Sequence, residues 1–470
     1  MKRREVLCVY GFPEEEVQER FASWLHEEKS RDVVLLQENT ALKELAWQLL
    51  LTELRLALPE HLQEQDKKKA KTLFEQLQFW QLGAEALLSD VRDLGKRVVG
   101  NILLNLPLLQ GSLRASSFKD VFTGIPAIIC GAGPSLDQHR CHMEQAKQSA
   151  LMFAGGSSVK CLWTQGIQPH FAAAVDPDSP RELFATKAAE TIPYIFPLRV
   201  APWLLSEVKL KKIWAADGIS YPLETWLTEQ LGLQEPPIEG GWNVATFCIS
   251  LAVHMGCNPV ILVGVDLSLP EGKSYAEGIG HTYVKERLID TEQGVTKGDF
   301  ILAADWIEEF KEKHPHITLY NVSAEAWKIS GVEHKTFSEV LSLLPQLNLQ
   351  KKVDTLLAEA PPTEFFVSVK EVITCWIKSL DNVKHSCEEM LAFFEKDFPC
   401  DPRIQGEYIL KEVELEEEPV YRFLLQPVWE VWRPLFQQSQ VQEPFTGFHE
   451  TVQKLLFWKQ LAEEVYDAEI

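Results

Sequence analysis

Between positions 117 and 338 the chain alternates short, almost wholly apolar runs with segments long enough for a helix. The runs fall at 127–130, 151–154, 171–175, 194–196, 212–215, 260–265 and 317–320. Unbroken apolar runs of this length mark strands buried on both faces, so the pattern predicts an α/β domain with a Rossmann-like, mainly parallel sheet covered by helices. Ligands of such sheets gather outside the carboxyl ends of the strands. Ahead of it, region 1–116 shows two apolar runs, 5–10 and 32–37, around an amphipathic stretch at 14–26; from 41 to 109 leucines recur at helical spacing. That predicts a small N-terminal α/β unit followed by helical packing with no chemistry of its own. After 338 the strand signals fade, and leucine, phenylalanine and tryptophan recur at helical spacing among glutamates, so 339–470 reads as a helical C-terminal domain.

Three strand ends carry candidate chemistry. The first apolar run stops in Gly131, Ala132, Gly133, Pro134 and Ser135. Glycine lets a ligand approach the backbone, and Pro134 with Ser135 suits a helix start whose free amides attract phosphate. The plainer reading is a tight turn. Leu136 stands where a dinucleotide fingerprint needs its third glycine, and no acidic residue closes 151–156, so nicotinamide and flavin binding are not expected.

The run at 171–175 ends in Asp176, Pro177 and Asp178. Two carboxylates there suit a hard cation such as magnesium, and Asp176 also suits a ribose hydroxyl; an Asp cap before a helix is the alternative. Gly240 and Gly241 precede a nearly all-apolar helix that Gly256 ends. Asn243 and Thr246 are placed to read a base or sugar, or Asn243 simply caps. Asp266, in apolar surroundings, must be paired, as a site carboxylate or a fold-stabilising acceptor. His254 reads as a core histidine. His281, in the polar loop after the last of these segments, is the general-base candidate.

Composition narrows the classes. At 470 residues, 46% hydrophobic and 24% charged, the chain is ordinary globular material. A net charge of -22 argues against a nucleic-acid footprint and leaves any anionic ligand to amides, a few cations or a metal. Nine scattered cysteines without C-x-x-C spacing read as reduced thiols. No apolar segment is long enough to span a bilayer and no signal peptide fits the start, so the expected location is cytoplasmic.

The segments Gly131 to Leu136, Val175 to Pro177 and Gly240 to Leu267, in this order and spacing, together resemble the family that joins the Maf (motility accessory factor) glycosyltransferases with the 6-hydroxymethylpterin diphosphokinase-like proteins. The resemblance implies a Rossmann-like domain for an activated nucleotide: Gly131, Gly133, Pro134, Ser135, Asp176, Gly240, Gly241 and Asn243 around it, Asp176 and Asp178 for a metal, His281 and Asp266 for catalysis. On the Maf side it implies transfer of a nonulosonic sugar from a cytidine monophosphate carrier to a hydroxyl acceptor, protein or small molecule. On the pterin side it implies diphosphate transfer from ATP with magnesium. Val265, Tyr275 and the segment from Asn321 to Ile329, where only Asn321 and Ser323 remain of the family's motif, depart from the Maf pattern, which also leaves open a non-catalytic nucleotide-binding scaffold. The flanking regions favour the Maf side.

Overall fold

The computed structural model describes residues 4–22, 24, 31–184, 186–218, 222–269, 275–276, 288–291, 293–323, 326–345, 347–394, 402–438 and 446–467. The chain divides into two compact units, Met1–Asp93 with Val428–Leu456, and Leu94–Pro427 with Phe457–Ile470.

The first unit holds a parallel sheet of β1 (Arg4–Val9), β2 (Arg31–Leu35) and β3 (Thr52–Ala57) in the order β2-β1-β3. Val6 and Cys8 of the central strand bury against Leu36, Ala46 and Leu77, the last from the helix Glu64–Ser89. β3 corrects the helical expectation for 41–109. The leucines of Thr-Glu-Leu-Arg-Leu-Ala alternate with charged residues, which suits a strand, but lie inside a leucine-rich stretch whose helical spacing dominates any longer window.

The second unit is built on a sheet with nine strands among the described residues: β4 (Leu113–Arg114), β5 (Ala127–Cys130), β6 (Leu151–Gly155), β7 (Phe171–Ala173), β8 (Tyr194–Phe196), β9 (Lys212–Trp214), β10 (Val260–Val263), β13 (Leu319–Asn321) and β14 (Glu333–His334). The order is β14-β13-β10-β5-β6-β7-β8-β9-β4, and every pair is parallel. A separate antiparallel hairpin, β11 (Leu288–Thr291) with β12 (Gly294–Lys297), follows β10. β5, β6 and β10 are buried along their whole length, as strands covered on both faces must be. The buried helix Val244–His254 lays Phe247, Ile249 and Leu251 into this core. The two-residue edge strands β4 and β14 are too short to carry a periodic signal.

The expected boundaries at 116 and 338 do not coincide with the compact units. The helix Gly95–Asn105 belongs with the large sheet, and the helices after 338 do not stand apart: Trp376 and Phe423 pack on Trp226 of the helix Pro222–Gln230, ring centres 5.6 and 6.0 Å away. No helix among the described residues is long and apolar enough to cross a membrane.

Two features of this core give testable consequences. β5 ends against β10 so closely that a Cβ on Gly131 would lie 2.2 Å from the carbonyl oxygen of Gly264, a backbone atom that cannot step aside. Gly131→Ala should cost about 3 kcal/mol by overpacking, whereas Gly100→Ala, in a helix and with open space around it, should gain roughly 0.5–1 kcal/mol. Urea denaturation of both variants checks this, and equal midpoints would refute the contact.

The second feature is Glu224, 2% exposed, whose Oε1 accepts from the Trp214 indole at 3.1 Å while Oε2 finds no partner among the described residues. Burial above all, then the charge of Asp217, raises its pKa to about 8, against the pull of Trp214, the Leu198 backbone and Arg199. The folded state therefore keeps a proton that the unfolded chain, at 4.5, releases. The resulting loss of stability is absent below pH 4.5, grows as pH rises and is complete above about pH 8. Glu224→Gln should match the wild type near the low end and be more stable by a few kcal/mol, in order of magnitude, at the high end. Melting curves across this range decide it; parallel pH profiles would show that Glu224 is ionised in the fold.

Candidate functional site

Strand order reverses between β5 and β10: the chain steps from β5 through β6 to β9 on one side, and from β10 to β14 on the other. Crevices at such reversals hold the ligands of open parallel sheets. Here the carboxyl ends of the two strands brace each other. The amides of Gly131 and Gly133 donate to the carbonyls of Val263 and Gly264, each at 2.8 Å. Asp266, 5% exposed, accepts from the Ser135 amide at 2.9 Å and from the Ser135 hydroxyl. That hydroxyl also meets Ser323 Oγ at 2.6 Å, and Asn321 Oδ1 accepts the Ser323 amide at 3.0 Å, extending the network to the end of β13.

This geometry revises the expected phosphate cradle. Pro134–His139 is a 3-10 turn leading into the helix Arg140–Ser149. Pro134 has no amide proton, and those of Gly131, Gly133 and Ser135 are taken by the neighbouring strand end; that of Ala132 makes no hydrogen bond among the described residues. Both glycines are required for close approach: a Cβ on Gly133 would stand 2.7 Å from the Gly264 carbonyl oxygen and 2.5 Å from Asp266 Oδ2. Asp266, with both oxygens engaged, is the acceptor that ties the two turns together. Leu267 beside it sits at φ 50°, costly for a branched side chain, and is held there by the buried Thr296 hydroxyl donating to its carbonyl at 2.9 Å.

Farther along the same edge of the sheet, the ends of β7, β8 and β9 carry a second group of candidates. Asp176 follows β7, Arg199 follows β8 and Asp217 follows β9, so three adjacent strands each present one charge. Asp176 is open to solvent yet crowded by protein. Desolvation raises its carboxyl pKa against the opposing pull of Arg199. Asp178 is ion-paired with Arg97, and Arg181 stacks on Trp203, 4.6 Å from the ring centre. With a guanidinium acting on each aspartate, Asp176 and Asp178 do not fit a magnesium ion held between them. No group of three or more His, Cys, Asp or Glu side chains placed for a metal occurs among the described residues.

Gly240, Gly241 and Asn243 lie between these groups in sequence. Past β9, Asp217 pairs with Ile238 in a parallel bridge, which anchors the segment entering Gly240. Asn243 caps the helix Val244–His254: its Oδ1 accepts the amides of Ala245 and Thr246, each at 3.0 Å, and Thr246 Oγ1 accepts the Asn243 amide at 3.0 Å. This capping box uses the helix amides and buries Thr246, so neither its hydroxyl nor Asn243 Oδ1 is left for a base or sugar. Trp242 beside it is 42% exposed.

His281 lies outside the described residues. His254 is half buried, with Nε2 3.1 Å from the Ala115 carbonyl, as a core histidine should be. His139, which sequence reasoning passed over, sits at the end of the glycine turn with Nε2 buried and without a hydrogen bond among the described residues. Burial and then His142 lower its pKa, and the Val322 backbone and Asp266 oppose them. Arg199 and Asp217 were missed as well. Each follows a three-residue strand, and the available signal was a charged residue two or three positions past an apolar run.

Residues 101–272 match the family described as 6-hydroxymethylpterin diphosphokinase MptE-like. No curated protein matches the chain. Among solved structures, the Maf glycosyltransferase from Magnetospirillum magneticum AMB-1 aligns with a TM-score of 0.54 at 14% identity, over 96% of this chain and 73% of that one; at this identity the likeness is one of fold. The sialyltransferase CstII from Campylobacter jejuni, solved with a substrate analogue, CMP-3FNeuAc, aligns over 47% of this chain and 88% of that one at 13% identity, but its TM-score of 0.22 carries no weight. Over residues 101–272 this chain thus resembles the MptE-like 6-hydroxymethylpterin diphosphokinase family by sequence, and as a whole it is similar in fold to a Maf glycosyltransferase.

Proposed function

We propose that this protein is a nucleotide-dependent transferase that moves a sugar from a cytidine monophosphate carrier to the hydroxyl of an acceptor. The observation that carries this reading is Asp176, open to solvent in a crowded strand-end position with Arg199 acting on it, two strands from the reversal in strand order. The fold shared with a Maf glycosyltransferase supports it. Asp176, beside Arg199, accepts from a hydroxyl of the donor, and the Ala132 amide offers a donor to the leaving phosphate. In the transfer the acceptor oxygen bonds to the anomeric carbon, the anomeric carbon–phosphate oxygen bond breaks, and its electron pair leaves with the phosphate. The hydroxyl proton passes to a histidine. His281 is the candidate for that base.

The match of residues 101–272 to the pterin family favours a second reading, diphosphate transfer from ATP to a hydroxymethyl group. In that case a magnesium ion would arrive on the ATP phosphates and draw on Asp176 alone.

A ligand at 100 times its dissociation constant stabilises the fold by about 2.7 kcal/mol, a melting shift of several degrees. Cytidine nucleotides should give the larger shift, with or without magnesium; a larger shift with magnesium-ATP, increased by a hydroxymethylpterin, replaces the sugar reading with the pterin one. Binding without turnover of either donor would leave a nucleotide-binding scaffold. Asp176→Asn should weaken cytidine nucleotide binding about tenfold with the unliganded melting point preserved, because Asp176 caps no helix: the 3-10 turn after it starts from Pro180, without a side-chain cap. Calorimetric titration giving wild-type affinity would remove Asp176 from the site.

A further inference from the structure

The helix Gly95–Asn105 precedes the sheet and carries no motif, yet one stripe of it holds the strand-end loops. Arg97, Asn101 and Asn105 recur every four residues and so share a face. Arg97 pairs with Asp178. Asn101 Nδ2 donates to the carbonyls of Pro177 at 3.0 Å and Arg199 at 2.8 Å, and Asn105 Nδ2 to those of Leu198 at 2.9 Å and Val200 at 2.7 Å. Asn101 therefore bridges the residue after Asp176 to Arg199 itself. The Ala201 amide adds a direct tie to the Asp176 carbonyl at 3.3 Å.

Packing alone does not account for these amides. Both asparagines are buried, and Asn105 Oδ1 has no partner among the described residues, an unsatisfied acceptor that an apolar side chain would avoid. What the asparagines supply is a pair of donors in fixed geometry, which leucine at these sites would not. Loops after parallel strands have no ladder partners beyond the sheet, so their carbonyls need donors from elsewhere. Two donors from one rigid helix set the loops of β7 and β8 at a fixed separation.

We infer that Asn101 and Asn105 are positioning residues: the stripe they form with Arg97 holds Asp176 and Arg199 in register for the ligand. This rests on the proposed role of Asp176, and two measurements separate the claims. The first needs no ligand. In Asn101→Ala, and in the milder Asn101→Ser should the first fold poorly, hydrogen exchange of 174–178 and 198–201 should rise together by tenfold or more while β5, β6 and β10 stay protected. Unchanged exchange in both segments overturns the inference.

The second is a double-mutant cycle on cytidine monophosphate affinity. Asn101→Ala should weaken binding about tenfold in the wild-type background and less than twofold when Asp176→Asn is already present, because a residue acting through Asp176 has nothing left to position. An equal factor in both backgrounds reduces Asn101 to a structural role and overturns the inference. If the wild type binds no cytidine monophosphate, the proposed function falls, and the exchange experiment alone decides whether the stripe fixes the loops.

Discussion

Two backbones in contact, at Gly131 and Gly264, hold the centre of the large sheet. With side chains absent from both positions, the Gly131 and Gly133 amides reach carbonyls across the strand reversal at 2.8 Å, and Ser135 comes within reach of Asp266. From this seam the sheet grows one way through β6 to β9 and the other through β10 to β14. The strand ends at the reversal are therefore joined by hydrogen-bonded backbone, which leaves any ligand chemistry to side chains around them.

Much of the sheet was legible in the sequence because burial on both faces leaves a local mark. All seven apolar runs of the central region became strands; those at 171–175, 212–215 and 260–265 end one or two residues early, where the chain turns into loops. The missed elements lacked that mark. β4 and β14 have two residues each, and β3 hid its alternation among leucines that also fit a helix. In the site, Gly131, Gly133 and Asp266 stood out because glycine and a lone acid interrupt apolar runs, and one of the two alternatives for Asp266, a fold-stabilising acceptor, matches its bonds to Ser135. The expectation of free amides failed because no local pattern tells whether a turn's donors point at a ligand or at a strand more than a hundred residues away. Asn101 and Asn105 were invisible for the same reason: their acceptors are 76 to 98 positions distant.

The carboxylates near the strand ends are each settled differently. Asp266 is bonded by Ser135, Asp178 is paired with Arg97, Glu224 keeps its proton, and Asp176 stays open to solvent with its pKa raised. In a chain of net charge -22, an anionic ligand is repelled at long range and held only by local groups. Salt, by screening the long-range term over about 8–10 Å, favours encounter more than it weakens the contacts inside the cleft.

The bond between Ser135 and Asp266 spans 131 positions. During synthesis at about 5–20 residues per second, the glycine turn waits roughly 7 to 26 seconds for its acceptor. β5 and β6 emerge early and pair with each other, but the opposite edge of β5 stays open until β10 is made. For that interval the nascent chain presents a bare apolar strand edge, the kind that invites pairing with other chains. A seam that gives the finished sheet its centre is thus the last part of that centre to close.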